Sequence, residues 1–167
     1  TLDNYVTDTE TADENISWSY SGNTDLIVSI VSRVATITTP DANWNGSETI
    51  TFIATDDGIP AESDSDAATF TVTAVNDVPV VSNIPDQTIA EGAAFATIAL
   101  DDYVDDADNL DSEMTWSYSG NVELIVVIDG SRVANVSVPD PDWFGSETVV
   151  FRATDPGGLW DEDGASF

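Results

Sequence analysis

"SWSYSGNTDLIVSI" runs from Ser17 to Ile30, and "TWSYSGNVELIVVI" runs from Thr115 to Ile128. In both copies a tryptophan and a tyrosine alternate with hydroxyl side chains, and an "SGN" turn separates them from an apolar run; Met114, Trp116 and Tyr118 share one face while Thr115, Ser117 and Ser119 share the other. Period two with aromatic and β-branched residues predicts half-buried strands. The likeness extends outward. Leu2, Tyr5 and Val6 recur 98 positions on as Leu100, Tyr103 and Val104. After one inserted residue near Gly130, "PDANWNGSETITFIATDDG" (Pro40–Gly58) is answered by "PDPDWFGSETVVFRATDPG" (Pro139–Gly157). Solenoid repeats run to roughly 20–50 residues, so a duplication of this length is a repeated domain.

Composition narrows the chemistry. The 167 residues carry 32 acidic side chains against three arginines, with no lysine or histidine, for a net charge of -29. Such a surface repels nucleic acid and anionic lipid and attracts cations. Disorder is countered by 41% hydrophobic residues and five tryptophans. The chain has no cysteine, which removes disulfides, thiolate metal sites and cysteine nucleophiles. Without histidine or lysine the commonest general base and Schiff-base chemistry are gone. These absences predict a protein that is not an enzyme. No apolar run reaches the ~18 residues that span a bilayer, so direct membrane insertion is not expected.

Further alternation appears at Val149, Phe151 and Ala153 against Thr148, Val150, Arg152 and Thr154, and at Phe70, Val72 and Ala74 against Thr69, Thr71 and Thr73. Short strands punctuated by turn signals about every dozen residues predict an all-β fold of immunoglobulin-like sandwiches without the disulfide. Trp18 and Trp116 read as core residues on an apolar face. In "PDxxWxGSE", Asp41 or Asp140 bonds nearby amides and Trp44 or Trp143 plugs the sandwich end. Trp160 has no counterpart in the first copy. Three sequons, at Asn15, Asn45 and Asn135, would permit glycosylation in a host that performs it.

Aligning the copies places Thr1 opposite Ala99 and Phe167 opposite Phe70. The first copy therefore has nothing matching Ser82–Ile98, and the second stops before its final strand. Two readings remain open: a stretch of a longer tandem array, or sandwiches completed by strands from neighbouring chains.

The acidic cluster "DADNLDSEMTWSYSG", then "ATDPGG", and the linker "FTVTAVNDVPVV" resemble in turn the calcium motifs and linker of cadherin repeats. The likeness is nearer still to bacterial and archaeal cadherin-like, immunoglobulin-like tandem repeats of large extracellular adhesins, whose "TPDANFNG" is nearly reproduced by "TPDANWNG" (Thr39–Gly46). The resemblance implies Greek-key β-sandwiches in tandem: residues 1–77 as a cadherin-like repeat lacking its N-terminal strands, and 78–167 as one lacking its C-terminal strand. It also implies calcium, held by Asn76 and Asp77 of the linker, Asp106 and Asp108 of the acidic pair, and Asp155 of a later loop. By the same repeat offset Asp8, Glu10 and Asp56 would serve a preceding junction, and Glu91 a following one; Asp41 and Glu48 are guesses for lower ligands. Calcium takes six to eight oxygen ligands, and oxygen donors are what this chain supplies.

Together these features predict a non-catalytic, extracellular or cell-surface adhesive module, part of a longer surface protein or filament, stiffened by calcium between repeats. Its partners would be neighbouring repeats or adjacent protomers. The alternative is a carbohydrate-binding β-sandwich in which Trp160 or Tyr103 stacks on cell-surface or matrix glycans.

Overall fold

Hydroxyl and apolar side chains that alternate along a strand sort to opposite faces of a sheet, and the strands Ser17–Ser21 and Thr115–Ser119 are built that way. The structure, a computed structural model, describes all of residues 1–167. It contains strands and four short 3-10 turns and no α-helix. Two compact units emerge, Thr1–Val75 and Asn76–Phe167.

The first unit holds β1 (Ser17–Ser21), β2 (Ile27–Val31), β3 (Val34–Thr38), β4 (Gly46–Thr55) and β5 (Ser63–Val72). β4 is the centre of an antiparallel β1-β4-β5 sheet, and β2 pairs with β3 in a second. Register sets Trp18 opposite Ala54 and Tyr20 opposite Phe52. Leu26, Val28 and Ile50 are buried in the core, with Ile37, Trp44, Phe52 and Phe70 only partly covered.

The second unit holds β6 (Val80–Val81), β7 (Ile98–Ala99), β8 (Val104–Asp105), β9 (Thr115–Ser119), β10 (Ile125–Ile128), β11 (Val133–Ser137), β12 (Thr148–Thr154) and β13 (Trp160–Ser166). Its sheets run β13-β12-β9 and β10-β11-β7, with β6 paired to β8. The register of the first unit is repeated, with Trp116 opposite Ala153 and Tyr118 opposite Phe151. Here the core closes: Phe151, Val149 and Leu100 are fully buried, and the Phe95 and Phe167 rings meet edge to face at 5.3 Å. Trp116 and Trp143 pack against this core, as their alternation and turn context predict.

Three local devices occur in both units. Gly22 and Gly120, the glycines of the "SGN" turns, have φ of +94° and +91°, and a Cβ there would meet the carbonyl oxygens of Thr49 and Thr148 at 2.7 and 2.5 Å. Arg33 pairs with Asp3 and Arg132 with Asp101, at 2.9 and 2.7 Å. The third device is a carboxylate that gathers three amides. Glu48 accepts the backbone N–H groups of Thr24, Asp25 and Leu26. Glu147 does the same for Val122, Glu123 and Leu124. The Thr24 amide, helped by those of Asp25 and Leu26, holds the Glu48 carboxyl below its ordinary range against partial desolvation. For Glu147 desolvation pushes upward, and the three amides outweigh it.

Candidate metal site in the second unit

The acidic residues singled out around the linker gather at the start of the second unit. Asp106 opens an Asx turn: its Oδ1 accepts the N–H groups of Asp108 and Asn109, both at 2.8 Å. That turn carries Asp108 toward the linker, where its Oδ2 accepts the Asp77 N–H at 2.6 Å. Asn76 donates from Nδ2 to Asp155 Oδ2 at 2.7 Å, and the Leu159 N–H occupies Asp155 Oδ1 at 2.9 Å. Gly157 makes room for this contact, since a Cβ there would fall 2.5 Å from Asn76 Nδ2. Five residues from three separate stretches are thus tied together: Asn76 to Asp155, and Asp77 to Asp108 and through its turn to Asp106.

Asp155 is 5% exposed, the only buried carboxylate of the chain. Burial would raise its pKa; the Asn76 amide and the backbone N–H groups of Leu159, Gly158 and Gly157 outweigh that and hold the carboxyl below its usual range, so it is charged at neutral pH. A second observation bears on what the cluster can hold. Asp106 Oδ2 and Asn109 Oδ1 are buried oxygens with no hydrogen-bond partner. Buried oxygens are expensive to leave unpaired. A hard divalent cation is the partner that oxygen acceptors alone can satisfy, so this donor set fits calcium. No three carboxylates anywhere in the chain converge closely enough to hold an ion by themselves. Amide and carbonyl oxygens and water would have to share the coordination. Asn109 was missed from sequence; the D-x-D-N spacing of Asp106–Asn109, which puts Asn109 inside the Asx turn, is the signal that could have found it.

The other predicted residues lie apart from this cluster. In the first unit Asp8 Oδ1 accepts the Glu10 and Thr11 N–H groups at 2.8 and 2.6 Å, the same turn that Asp106 makes. Asp56 Oδ1 accepts Gly58 and Glu62 N–H, much as Asp155 does for Leu159. The turn geometry of the motif is thus present in both copies. Glu91 sits exposed in a turn of the second unit and lines a cavity of about 390 Å³ with Trp143, Phe144 and Phe167. It is not brought together with the other predicted ligands.

Asp41 and Asp140 accept the amides of Asn43 and Asp142, so they cap turns as their context predicts. Trp160 is 48% exposed, and the Arg152 guanidinium lies 3.6 Å from its ring centroid while bonding Glu162. One ring face that a sugar would need is therefore taken.

No protein-family model and no curated protein sequence matches the chain. Solved structures do. The chain has the all-β sandwich fold of cadherin extracellular domains. A protocadherin gamma C5 EC1-3 structure aligns with TM-score 0.53 at 16% identity, over 90% of this chain and 55% of that one. Chicken VE-cadherin EC1-2 aligns with TM-score 0.51 at 15% identity, over 96% and 86%. The protocadherin gamma B4 extracellular domain aligns with TM-score 0.51 at 19% identity, over 92% and 27%. The chain spans about a quarter to a half of the length of these protocadherin structures. At such identities the likeness defines the fold.

Proposed function

We propose that this chain is a non-catalytic extracellular module of tandem cadherin-like repeats that extends a larger surface protein or filament, with calcium stiffening the chain where one repeat follows another. The observation that carries the reading is the pair of buried, unpartnered oxygens, Asp106 Oδ2 and Asn109 Oδ1, beside a hydrogen-bonded set of Asn76, Asp77, Asp108 and Asp155. Calcium would be held by these oxygens and would supply positive charge. The chain's own part is positional. Asp106 fixes the turn, Asp108 anchors the linker backbone at Asp77, and Asn76 locks to Asp155. Carboxylates that repel one another when bare would then become a fixed clamp, turning a hinge into a strut. Extracellular modules bind calcium at about 0.1–1 mM, a range in which extracellular calcium drives binding.

The fold likeness supports the adhesive reading, as does a composition without cysteine, histidine or lysine. No helix is long and apolar enough to cross a membrane. The partners under this reading are neighbouring repeats of the same protein or adjacent protomers. Thermal melting with 2 mM calcium and again with chelator tests it. A rise in melting temperature with calcium supports the module, and identical curves remove calcium from the account while leaving the fold.

A further inference from the structure

Strand β2 carries neither charge nor proline from Ile27 to Val31, although the chain holds 32 acidic residues. It pairs with β3 alone, so its other side is a free sheet edge. β10, at the same repeat position, is likewise the outer strand of β10-β11-β7, which makes the free side a property of the repeat. Sheet edges are commonly guarded by charges, proline or bulges, because their unpaired N–H and C=O groups template pairing with another chain. No residue of that kind lies along β2, where Ile27 is 55% and Val31 69% exposed.

The hairpin fixes which backbone groups face outward. Val31 opposes Val34 across a two-residue turn in which Ser32 and Arg33 have φ of +48° and +60°, the I′ geometry that closes a hairpin on a hydrogen-bonded pair. Bonding alternates from there, so Ile27, Ser29 and Val31 bond to β3 while Val28 and Ile30 present their N–H and C=O groups to the free edge. Tyr20 agrees with this assignment, since its hydroxyl donates to the outward Val28 oxygen at 2.9 Å. Side chains alternate as well. Val28 is buried, and Ile27, Ser29 and Val31 form an exposed row.

We propose that β2 is an interface for a second copy of this chain, paired antiparallel and edge to edge about a two-fold axis at Ser29. In that register Val28 and Ile30 exchange backbone bonds with Ile30 and Val28 of the other copy, and Ile27 packs opposite Val31 on both sides of the axis. Asp25, just before the strand, faces the turn that carries Arg33 of the other copy. The contact is isologous and complementary in charge. β10 is the internal control. There the Asp129 N–H bonds the Val133 oxygen, which turns the odd-numbered residues inward and leaves Val126 and Ile128 on the edge. Self-pairing about Val126 sets Glu123 against Asp129 of the other copy, and self-pairing about Val127 sets Asp129 against Ile125. Like charges directly opposite destabilise a sheet, so β2 is the self-pairing edge and β10 is not. The inference rests on the function proposed above for the adjacent protomer, whose docking strand it names, while the register of β2 stands whether or not calcium binds.

An edge of five residues buries less than the ~800 Å² per partner of a standard interface, so the dimer is a weak one and is best trapped covalently. The chain has no cysteine, and in this register the two Ser29 Cα atoms lie ~4.5 Å apart, within disulfide reach. The full chain is oxidised with glutathione disulfide, in chelator and at ~0.15 M salt, where distant charges are screened. Ser29→Cys should yield cross-linked dimer, and Val127→Cys, its repeat counterpart on β10, at most a tenth as much. Asp25→Lys and Glu123→Lys stand at matching repeat positions and change the net charge equally. Added to Ser29→Cys, the first should lower the yield at least fivefold and the second should not lower it. All four sites are exposed, so each variant should keep the parent's circular dichroism spectrum. The proposal is overturned if the two cysteine variants behave alike, whether both cross-link or neither does. It is equally overturned if the two lysine changes act alike, which would make net charge and not register the determinant.

Discussion

Asn76 bonds a carboxylate 79 residues away, donating from Nδ2 to Asp155 Oδ2 at 2.7 Å inside a pocket that Gly157 keeps clear. Two substitutions break this contact by different routes. Asn76→Ala removes the donor; Gly157→Ala drives a Cβ into it. Each should lower the melting temperature of the second unit by roughly 5 °C. Because both act through one bond, the double variant should fall well short of the sum, and a double-mutant cycle measures that coupling. Additive losses would mean that Gly157 matters for another reason.

Asp106 yields a prediction whose sign depends on the ion. Its Oδ1 holds the Asx turn and its Oδ2 is buried without a partner. Asp106→Asn keeps an acceptor for the Asp108 and Asn109 amides and removes a bare negative charge. In chelator the variant should melt no lower than the parent. In 2 mM calcium it should lose most of the gain that the parent shows. Melting curves of both proteins in both buffers decide it.

Phe151 and Phe52 occupy the same repeat position in different surroundings. Phe151 is fully buried, so Phe151→Ala should cost about 3–5 kcal/mol. The partly exposed Phe52 ring has less to lose, and Phe52→Ala should cost less than half as much. Denaturant unfolding measures both. Equal losses would mean that the first unit's core is closed in solution.

Asp155, Glu147 and Glu48 are each held below their ordinary pKa. A group that binds its proton more weakly when folded stabilises the fold above its unfolded pKa and loses that contribution as pH falls through the folded one. At fixed salt the melting temperature should stay nearly level from pH 7 to about 5 and fall below about pH 4. Glu147→Gln should melt lower than the parent at pH 7, with the gap closing as pH drops. A gap that stays constant to pH 2 would contradict the role of the charged carboxylate.

How much of this was readable in advance follows from what each feature depends on. Phe151 and Val149 announced their burial, and Trp116 its packing against the core, because a sheet face repeats every two residues, and the duplication let one copy vouch for the other. The Asp106 turn was legible too, since Asx turns are local. Glu147 was not. Its partners, Val122 to Leu124, are more than twenty residues away, so "GSE" alone gives no hint of them. The available signal was its register: Glu48 lies on the inward row of β4 with Ile50 and Phe52, where a charge must find partners. The Asn76–Asp155 contact likewise depends on closure of the whole sandwich. So does the contrast between a closed second unit and a partly covered first one.

The proposed calcium site of the second unit comprises Asn76, Asp77, Asp106, Asp108 and Asp155, with Asn109 completing it. Titrating calcium into isotopically labelled protein while following backbone amide signals tests this residue by residue. The account predicts saturable shifts at Asp77, Asp108, Asn109 and Leu159 with a dissociation constant of about 0.1–1 mM, abolished by Asp106→Ala. Shifts that spread evenly over the acidic surface without saturating, or that survive Asp106→Ala, would contradict it.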